Sequence, residues 1–338
     1  MPIRSLPKLV SFLTVCAFAA APTGYHLVGK YPVGGDAGWD YITVDSEAQK
    51  LYVAHLTRIE VLDAASGKKA GAVTGTDGVH GIALVPALGK GFTSNGKSNT
   101  VSVIDLKTLK HTAEIKAGKK PDAIVYDEGT KQVIVSNGES DNLTIIDAAS
   151  NKVAGTVAVG GAPEYIASDL KGTIWVNLED KDAFVTVDIK AMKLVKTTPI
   201  SGCTAPAALA IDVATRTLYI GCKNKKAAVV QADSGKVLAL LSIGERADGA
   251  GFDPSTGRGF ISCGDGHLII IGQNGGKYEV IETVTTARGA KTMVFDPKTS
   301  KIYMPTVEGV PDTATGPPTP TGPGMYKPGE FEVIVVAK

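Results

Sequence analysis

The amino-acid sequence predicts an all-β fold, a seven-bladed β-propeller of four-stranded antiparallel blades, and three observations lead to this prediction. Short runs rich in Val, Ile and Thr alternate with clusters of Asn, Asp, Gly and Ser, which is the pattern of strands joined by tight turns. An aspartate at one of these turns recurs at steps of 41 to 43 residues. Seven units of this size fit the 338-residue chain, and a period near 40 residues with four strands per unit is typical of a propeller.

The clearest copy of the repeat begins at Lys120 and ends at Gly161. Its four strand-like runs are Asp122–Tyr126, Gln132–Ser136, Asn142–Asp147 and Lys152–Val159. The unit is therefore a meander whose two faces need neighbouring units to cover them. The aspartates that end the first strand of five successive units are Asp127, Asp169, Asp212, Asp253 and Asp296, and their local role in capping a turn explains them.

The last unit is incomplete in sequence order, because its third strand, FEVIVVA, is followed only by the final lysine. The missing fourth strand has a match near the other end of the chain. Tyr25–Gly35, YHLVGKYPVGG, resembles the fourth-strand pattern VAGTVAVGG. We expect this segment to complete the last blade, which closes the ring and leaves no open sheet edge.

Residues 1–21 have the form of a secretory signal peptide. Arg4 and Lys8 precede the apolar run Leu9–Ala21, which is too short to span a bilayer and contains small residues suited to cleavage. We therefore expect residues 22–338 to form a single propeller domain that is periplasmic or secreted. The formal net charge of +1 provides no field that would select nucleic acid or an anionic membrane.

Three cysteines follow the predicted cleavage region. Cys203 precedes the first strand of the fifth unit and Cys222 ends its second strand, so both fall at the same end of one hairpin. We predict a disulfide between them, with two buried thiols as the alternative. Cys263 occupies the equivalent of Cys222 in the sixth unit without a partner in its own hairpin, and we expect it to be a free thiol.

The candidate functional residues lie where the chain enters each first strand. In a meander propeller these strands line the central channel, so their first residues converge at one end of it, here called the mouth, on the top face. The seven mouth positions are Asp40, His80, Asp122, Glu164, Ala207, Asp248 and Lys291. Several carboxylates so close together repel one another when ionised, so either their pKa values rise or a cation binds there.

Two sets of candidates follow from this arrangement. His55 ends the second strand of the first unit on the same face, and three further side chains adjoin the mouth positions. The ligand-binding candidates are therefore Trp39, Asp40, His55, His80, Asp122, Glu164, Arg246, Asp248, Arg288 and Lys291. The candidate ligands of a divalent metal ion are Asp40, His80, Asp122, Glu164 and Asp248. The alternative is that the carboxylates only cap backbone N–H groups and lock the ring.

A long segment rich in proline and glycine, Thr306–Gly329, interrupts the seventh unit between its second and third strands. It should emerge on the top face as an extended loop. One interpretation is an insertion tolerated at the surface. The other is a lid or partner arm that uses Met325 and Tyr326 to cover the mouth.

The fifth to seventh units carry a recognisable resemblance. They read GCTAPAALAIDVATRTLYIGCKNKKAAVVQADSGKV, then ADGAGFDPSTGRGFISCGDGHL and ARGAKTMVFDPKTSKIYMP. With the aspartate-ended strands and the period, these segments resemble the YncE-like, YVTN-repeat family of exported bacterial seven-bladed propellers. The resemblance implies the fold and export. It implies no reaction and no set of catalytic residues.

Three functions remain open. The first is a non-enzymatic binding or scaffold protein, expected to be monomeric, that recognises a protein, a peptide or a small cationic ligand at the top face. The second is a metal-assisted hydrolase or lactonase-like enzyme that uses the mouth carboxylates, with a divalent metal ion as its cofactor. The third, nucleic-acid binding, lacks a basic stripe and must contend with an acidic mouth.

Overall fold

The structure is a computed structural model and describes residues 1, 24–35, 38–307 and 330–338. These ranges contain 28 β-strands in seven four-stranded antiparallel sheets. Regular helix is confined there to two single turns of 3₁₀-helix, at Pro86–Leu88 and Glu179–Lys181. The predicted seven-bladed propeller of four-stranded blades is therefore confirmed.

Blades 1 to 6 take their strands in chain order, from the channel outwards. The strands of blades 1 to 3 are β2 (Trp39–Asp45), β3 (Lys50–His55), β4 (Arg58–Asp63) and β5 (Lys69–Thr74); β6 (Val79–Val85), β7 (Lys90–Asn95), β8 (Thr100–Asp105) and β9 (Lys110–Lys116); and β10 (Pro121–Asp127), β11 (Gln132–Asn137), β12 (Asn142–Asp147) and β13 (Lys152–Ala158). Those of blades 4 to 6 are β14 (Pro163–Ser168), β15 (Thr173–Leu178), β16 (Ala183–Asp188) and β17 (Lys193–Pro199); β18 (Pro206–Asp212), β19 (Thr217–Cys222), β20 (Lys226–Gln231) and β21 (Val237–Ser242); and β22 (Ala247–Asp253), β23 (Arg258–Cys263), β24 (His267–Asn274) and β25 (Lys277–Thr285).

Blade 7 joins the two ends of the chain. Its strands are β26 (Val294–Asp296), β27 (Lys301–Val307), β28 (Phe331–Ala337) and, outermost, β1 (His26–Pro32). The closure expected from YHLVGKYPVGG is therefore present, with β1 antiparallel to β28. Tyr25, just before β1, is buried and packs edge-to-face on Phe260 of blade 6, with ring centroids 5.5 Å apart.

The hydrophobic core lies between the facing sheets of neighbouring blades. One cluster, for example, combines Leu143 and Ile145 of blade 3 with Ile174 and Val185 of blade 4, all fully buried. Burying a side chain of this size contributes about 1.5–3 kcal/mol. Because each blade shares its faces with two others, the ring is stabilised as a unit.

The turn aspartates have the structural role expected of them. Asp127 Oδ1 accepts hydrogen bonds from the backbone N–H and the hydroxyl of Thr130, both at 2.8 Å. Its second oxygen accepts from the Ser168 hydroxyl at 2.7 Å and from Gly172 N–H at 3.1 Å, both in the next blade. The aspartate therefore closes its own turn and also braces the adjacent blade.

The long loop begins later than the sequence suggested. Thr306 and Val307 belong to β27 and pair with Glu332 and Phe331 of β28. The remainder of the predicted loop, with Met325 and Tyr326, lies outside the described residues, as does the predicted signal peptide. In the part of the chain that the structure describes, no helix is long and apolar enough to cross a membrane.

In blade 5, Cys203 and Cys222 are joined by a disulfide, with Cα atoms 5.5 Å apart. Cys263 is a buried free thiol, and burial raises its pKa to about 12. This thiol is therefore protonated and unreactive at neutral pH.

Candidate functional site: the mouth of the channel

A β-bulge occurs where the first strand of each of blades 1 to 6 begins. In blade 2, Val79 pairs with Asn95 and Gly81 pairs with Ser94, so His80 is the extra residue. Ala207 and Asp248 are the extra residues of blades 5 and 6. In blades 1, 3 and 4 two residues of the first strand lie between the paired positions. The first of these two is Asp40 in blade 1, Asp122 in blade 3 and Glu164 in blade 4. Bulges re-aim side chains, and here the re-aimed residue is the mouth position each time.

Two cations hold the aspartates of the mouth. His80 Nδ1 donates to Asp40 Oδ2 at 2.6 Å and lies 3.5 Å from Asp122 Oδ1. The ammonium of Lys291 contacts Asp248 and lies 3.8 Å from Asp40 Oδ1. The structure thus brings five predicted site residues, from blades 1, 2, 3, 6 and 7, into one charged group.

The pKa values of three of these groups favour their charged forms. Burial opposes ionisation of Asp40, but Lys291 and the hydrogen bond from His80 outweigh it and lower the pKa of Asp40. Burial likewise opposes the charge on His80. The hydrogen bond to Asp40 and the charge of Asp122 outweigh burial, so the pKa of His80 is raised. The pKa of Lys291 is raised despite its burial because Asp248 and Asp40 face it.

Asp122 and Glu164 are in the opposite situation. Burial, together with the charge of Asp40, raises the pKa of Asp122 to about 6 against the attraction of His80. Burial and the charges of Asp122 and Asp248 raise the pKa of Glu164 to about 9, so this side chain holds a proton at neutral pH. The mouth therefore has less positive charge than its carboxylates require.

Neither of these two carboxyl groups is satisfied within the described residues. Asp122 is only 6% exposed and its carboxylate accepts no hydrogen bond there, since the His80 proton is directed at Asp40. Glu164 makes neither a side-chain hydrogen bond nor an ion pair in the same part of the chain. The carboxyl oxygens of Asp122 and Glu164 are not among the fully enclosed polar atoms of the described residues, so they remain open to water or to a ligand that carries hydrogen-bond donors.

Two tyrosines form the floor of the mouth. Tyr41 and Tyr165 directly follow Asp40 and Glu164, and their rings meet edge-to-face with centroids 5.3 Å apart. Burial and the nearby carboxylates, Asp122 foremost, raise the pKa of Tyr41 well above its usual range, and burial raises that of Tyr165 to about 12. Both hydroxyls are therefore protonated. Sequence reasoning missed this pair, although the same position holds small residues in the other five units: Gly81, Ala123, Ala208, Gly249 and Thr292.

Besides His80 and Lys291, further positive charge near the mouth comes from two lysines rather than from the predicted site residues Arg246 and Arg288. Lys120 lowers the pKa of Asp40 and of Asp122, and Lys223 lowers that of Glu164. Arg246 instead contacts the carbonyl of Gly264, and burial and the charge of Arg288 lower its pKa. The charge of Arg288 acts on Arg246, so the two arginines are neighbours.

Trp39 and His55 are not brought into the mouth group. The indole of Trp39 stacks on Phe331, with centroids 5.9 Å apart, in the core between blades 7 and 1. The His55 ring is fully buried 4.3 Å from the same phenylalanine, and its Nδ1 lies 3.6 Å from Glu60 Oε1. Trp39 therefore lies in the core between blades 7 and 1, and His55 lies against Phe331 and Glu60. His55 and His80 therefore have separate partners and do not form a pair.

Three of the five predicted metal ligands come together. Donor atoms of Asp40, His80 and Asp122 all lie within 4.8 Å of one another. Asp248 is instead bound to Lys291, and Glu164 is not among the grouped donors. Two carboxylate oxygens and an imidazole nitrogen suit a divalent transition metal, provided that the imidazole gives up its proton.

The fold and this site define the chain as a seven-bladed β-propeller with a carboxylate-lined channel mouth. Residues 33–169 match the family model described as YNCE-like beta-propeller. The match covers less than half of the chain, namely blades 1 to 3 and the first strand of blade 4. It confirms the resemblance predicted from the sequence. None of the curated proteins compared with the chain matches it.

Solved structures share the fold. A chain of the Kuenenia stuttgartiensis hydrazine synthase is similar with a TM-score of 0.70 and 16% sequence identity, over 85% of this chain and 96% of that chain. At this identity the likeness shows the fold alone. In total 1793 chains of solved structures match, so the fold by itself selects no function.

Proposed function

We propose that this chain is an exported, non-enzymatic binding protein that recognises a cationic group of a protein, peptide or small molecule at the mouth of its channel. The carrying observation is the Asp122 carboxylate, which is 6% exposed, lies 3.5 Å from His80 and accepts no hydrogen bond within the described residues. An ammonium or guanidinium group supplies both the donor and the positive charge.

The neighbourhood of Asp122 favours a cation over other ligands. Within the described residues Glu164 also lacks a hydrogen-bond or ion-pair partner, and the four mouth carboxylates have only His80 and Lys291 as ion-pair partners there. An anionic group would add to their repulsion. A neutral donor would satisfy Asp122 but would leave the repulsion that keeps Glu164 protonated.

Calorimetric titration with a tri-lysine peptide, blocked at both ends, tests the proposal. We expect saturable binding to the protein and none of the equally blocked tri-glutamine peptide. The isosteric changes Asp122→Asn and Glu164→Gln should each weaken binding by about tenfold or more. Asp105→Asn, at an exposed turn on the opposite face, is the matched control and should leave the affinity unchanged.

Two outcomes would contradict this function. One is equal affinity of the tri-lysine peptide for the parent protein, Asp122→Asn and Glu164→Gln. The other is the absence of saturable binding of tri-lysine, tri-arginine and spermidine alike. Deletion of residues 308–329 is a useful further variant, because an unchanged affinity would show that binding does not require the long loop.

The grouped donors of Asp40, His80 and Asp122 favour a metal-assisted hydrolase as the second candidate. A divalent ion there would polarise a bound carbonyl or water, with the three side chains as its ligands. A panel of divalent ions read by thermal shift tests this. One ion should raise the melting temperature markedly in the parent protein and not in Asp122→Ala or His80→Ala. No response to any ion would exclude the metal site.

A further inference from the structure

A second cavity lies beneath the tyrosine floor, in the lower part of the channel. Its volume is about 600 Å³, and its walls come from the first strands and following turns of every blade except the fifth. Tyr41 and Tyr165 line its upper end. Asp45, Ser46 and Glu47, in the first turn of blade 1, lie at the opposite end.

The walls of this lower cavity are unusually aromatic. Five of its 24 lining residues are Phe or Tyr, whereas aromatic residues make up 6% of the chain. They come from five different blades and are Tyr41, Tyr126, Tyr165, Phe252 and Phe295. Most of the other side chains are aliphatic, such as Val44, Ile82 and Leu84.

Charge is almost absent from the lower cavity. Among the described residues no lysine or arginine contributes to the lining, and the two carboxylates found there are both at the lower rim. Asp45 caps its own turn by accepting from the N–H groups of Glu47 and Ala48, and Glu47 pairs with Lys298. The described lining therefore has no positive side chain that would attract an anion. Its two carboxylates, which would attract a cation, are already engaged in a turn cap and in an ion pair.

We propose that the lower cavity binds a neutral, predominantly aromatic small molecule. Its volume falls within the range of ligand pockets, about 300–1,000 Å³, which are lined mainly by apolar and aromatic groups. Val44, Leu84 and Phe252 are partly exposed there and would be covered by such a ligand. Flat aromatic molecules gain further from offset or edge-to-face contact with the ring side chains.

The backbone of the same walls supplies the polar contacts that such a ligand needs. Each first strand is the inner edge of its sheet, so part of its N–H and C=O groups face the channel. Some of these are satisfied internally, as where the Thr43 hydroxyl donates to the Ile82 carbonyl at 2.9 Å. Those that remain can bind a hydroxyl or carbonyl of a ligand, which favours a phenol or heteroaromatic over a pure hydrocarbon.

The lower cavity is independent of the mouth. Among the described residues that line it, none is one of the mouth residues Asp40, His80, Asp122, Glu164, Asp248 and Lys291. A ligand in the lower cavity therefore does not touch Asp122 or Glu164, and this proposal stands or falls separately from cation binding at the mouth.

The neutral fluorescent probe N-phenyl-1-naphthylamine tests the proposal on the full chain. We expect one probe to bind per protein with enhanced fluorescence, and its anionic relative 1-anilinonaphthalene-8-sulfonate to bind about tenfold more weakly or less. Leu84→Trp fills the cavity and should weaken probe binding by about tenfold or more. Val195→Trp, at a 60% exposed position on the outer strand of blade 4, is the matched control and should not change it.

Two further variants make the outcome decisive. If Leu84→Trp lowers the melting temperature, Val44→Phe serves in its place as a smaller change that also fills the cavity. Glu164→Gln should leave probe binding unchanged even where it abolishes tri-lysine binding. Absence of probe binding, or equal binding to the parent protein, Leu84→Trp and a folded Val44→Phe, would overturn the proposal.

Discussion

Asp122 and Glu164 occupy positions that disfavour the ionised form of a carboxyl group. Both are desolvated, both face other carboxylates, and neither accepts a hydrogen bond within the described chain. Such groups reduce stability, and perturbed pKa values of this kind are concentrated at functional sites. Asp40 and Asp248 show the contrast, since each is in direct contact with a cation, whereas His80 lies 3.5 Å from Asp122 and hydrogen-bonds Asp40 instead.

Glu164→Gln should stabilise the protein in alkaline solution. The pKa of Glu164 is about 9 in the folded protein and about 4.3 in an unfolded chain. Between these values the folded state binds a proton that the unfolded state does not, so this group's contribution to stability falls as pH rises through that window. Glutamine removes the effect. The melting temperature of Glu164→Gln should exceed that of the parent protein at pH 8 and equal it at pH 4.

Glu139→Gln, at an exposed turn on the same face, is the control for that experiment and should have the parent melting temperature at both pH values. A Glu164→Gln variant that melts below the parent protein at pH 8 would show that the carboxylate is ionised and satisfied. The charge account of the mouth would then be wrong.

Among the structural elements, the bulged first strands are the ones that position the candidate site. Six first strands carry a bulge at the same position. The mouth residue lies in this bulge and has no paired residue on the second strand of its blade. In blade 5 this residue is Ala207, and the disulfide of Cys203 and Cys222 lies at the same end of that blade. In blade 5, therefore, the mouth residue has no ionisable side chain, and a disulfide braces the same end of the blade.

Removing this brace should cost stability. We expect the double change Cys203→Ala and Cys222→Ala to lower the free energy of unfolding by about 2–4 kcal/mol, because the unfolded chain regains the freedom of the closed loop. Denaturant unfolding measures it. Cys263→Ala, which removes a buried free thiol, controls for the loss of side-chain volume. Equal stability of the double variant and this control would show that the bridge contributes nothing.

The closing strand β1 should stabilise the whole ring. Tyr25 is 5% exposed against Phe260, whereas Val28 in the same segment is 46% exposed. Tyr25→Ala should therefore lower the free energy of unfolding by about 3–5 kcal/mol, and Val28→Ala by less than about 0.5 kcal/mol. Far-ultraviolet and near-ultraviolet circular dichroism should report one shared transition. Separate transitions in Tyr25→Ala would show that blade 7 unfolds alone.

At the scale of the whole molecule, spacing in the sequence was sufficient for the fold. Turn aspartates such as Asp127 recur because each blade needs the same cap, so the period and the strand pattern predict seven blades. The closing strand was also predictable, since a ring with a missing fourth strand needs one and YHLVGKYPVGG matches it. The seven mouth positions followed from the same reasoning.

The chemistry of the mouth was less predictable. In a β-bulge two residues of one strand lie opposite one residue of the partner strand. The amino-acid composition of a strand does not show where this shift of register occurs. His55 ends its strand as Asn95 does, but Phe331 from the other end of the chain buries it, and only the closed ring brings the two together. The Tyr41 and Tyr165 pair could have been found, because large residues stand out among small ones at that repeat position.

Proton release on cation binding at the mouth tests the central claim most directly. Titration of the tri-lysine peptide at pH 8 in two buffers of different ionisation enthalpy gives the number of protons exchanged. A bound ammonium lowers the pKa of Glu164, which is largely protonated at this pH, so we predict the release of close to one proton and much less in Glu164→Gln. Binding with no proton release, or with proton uptake, would contradict the claim.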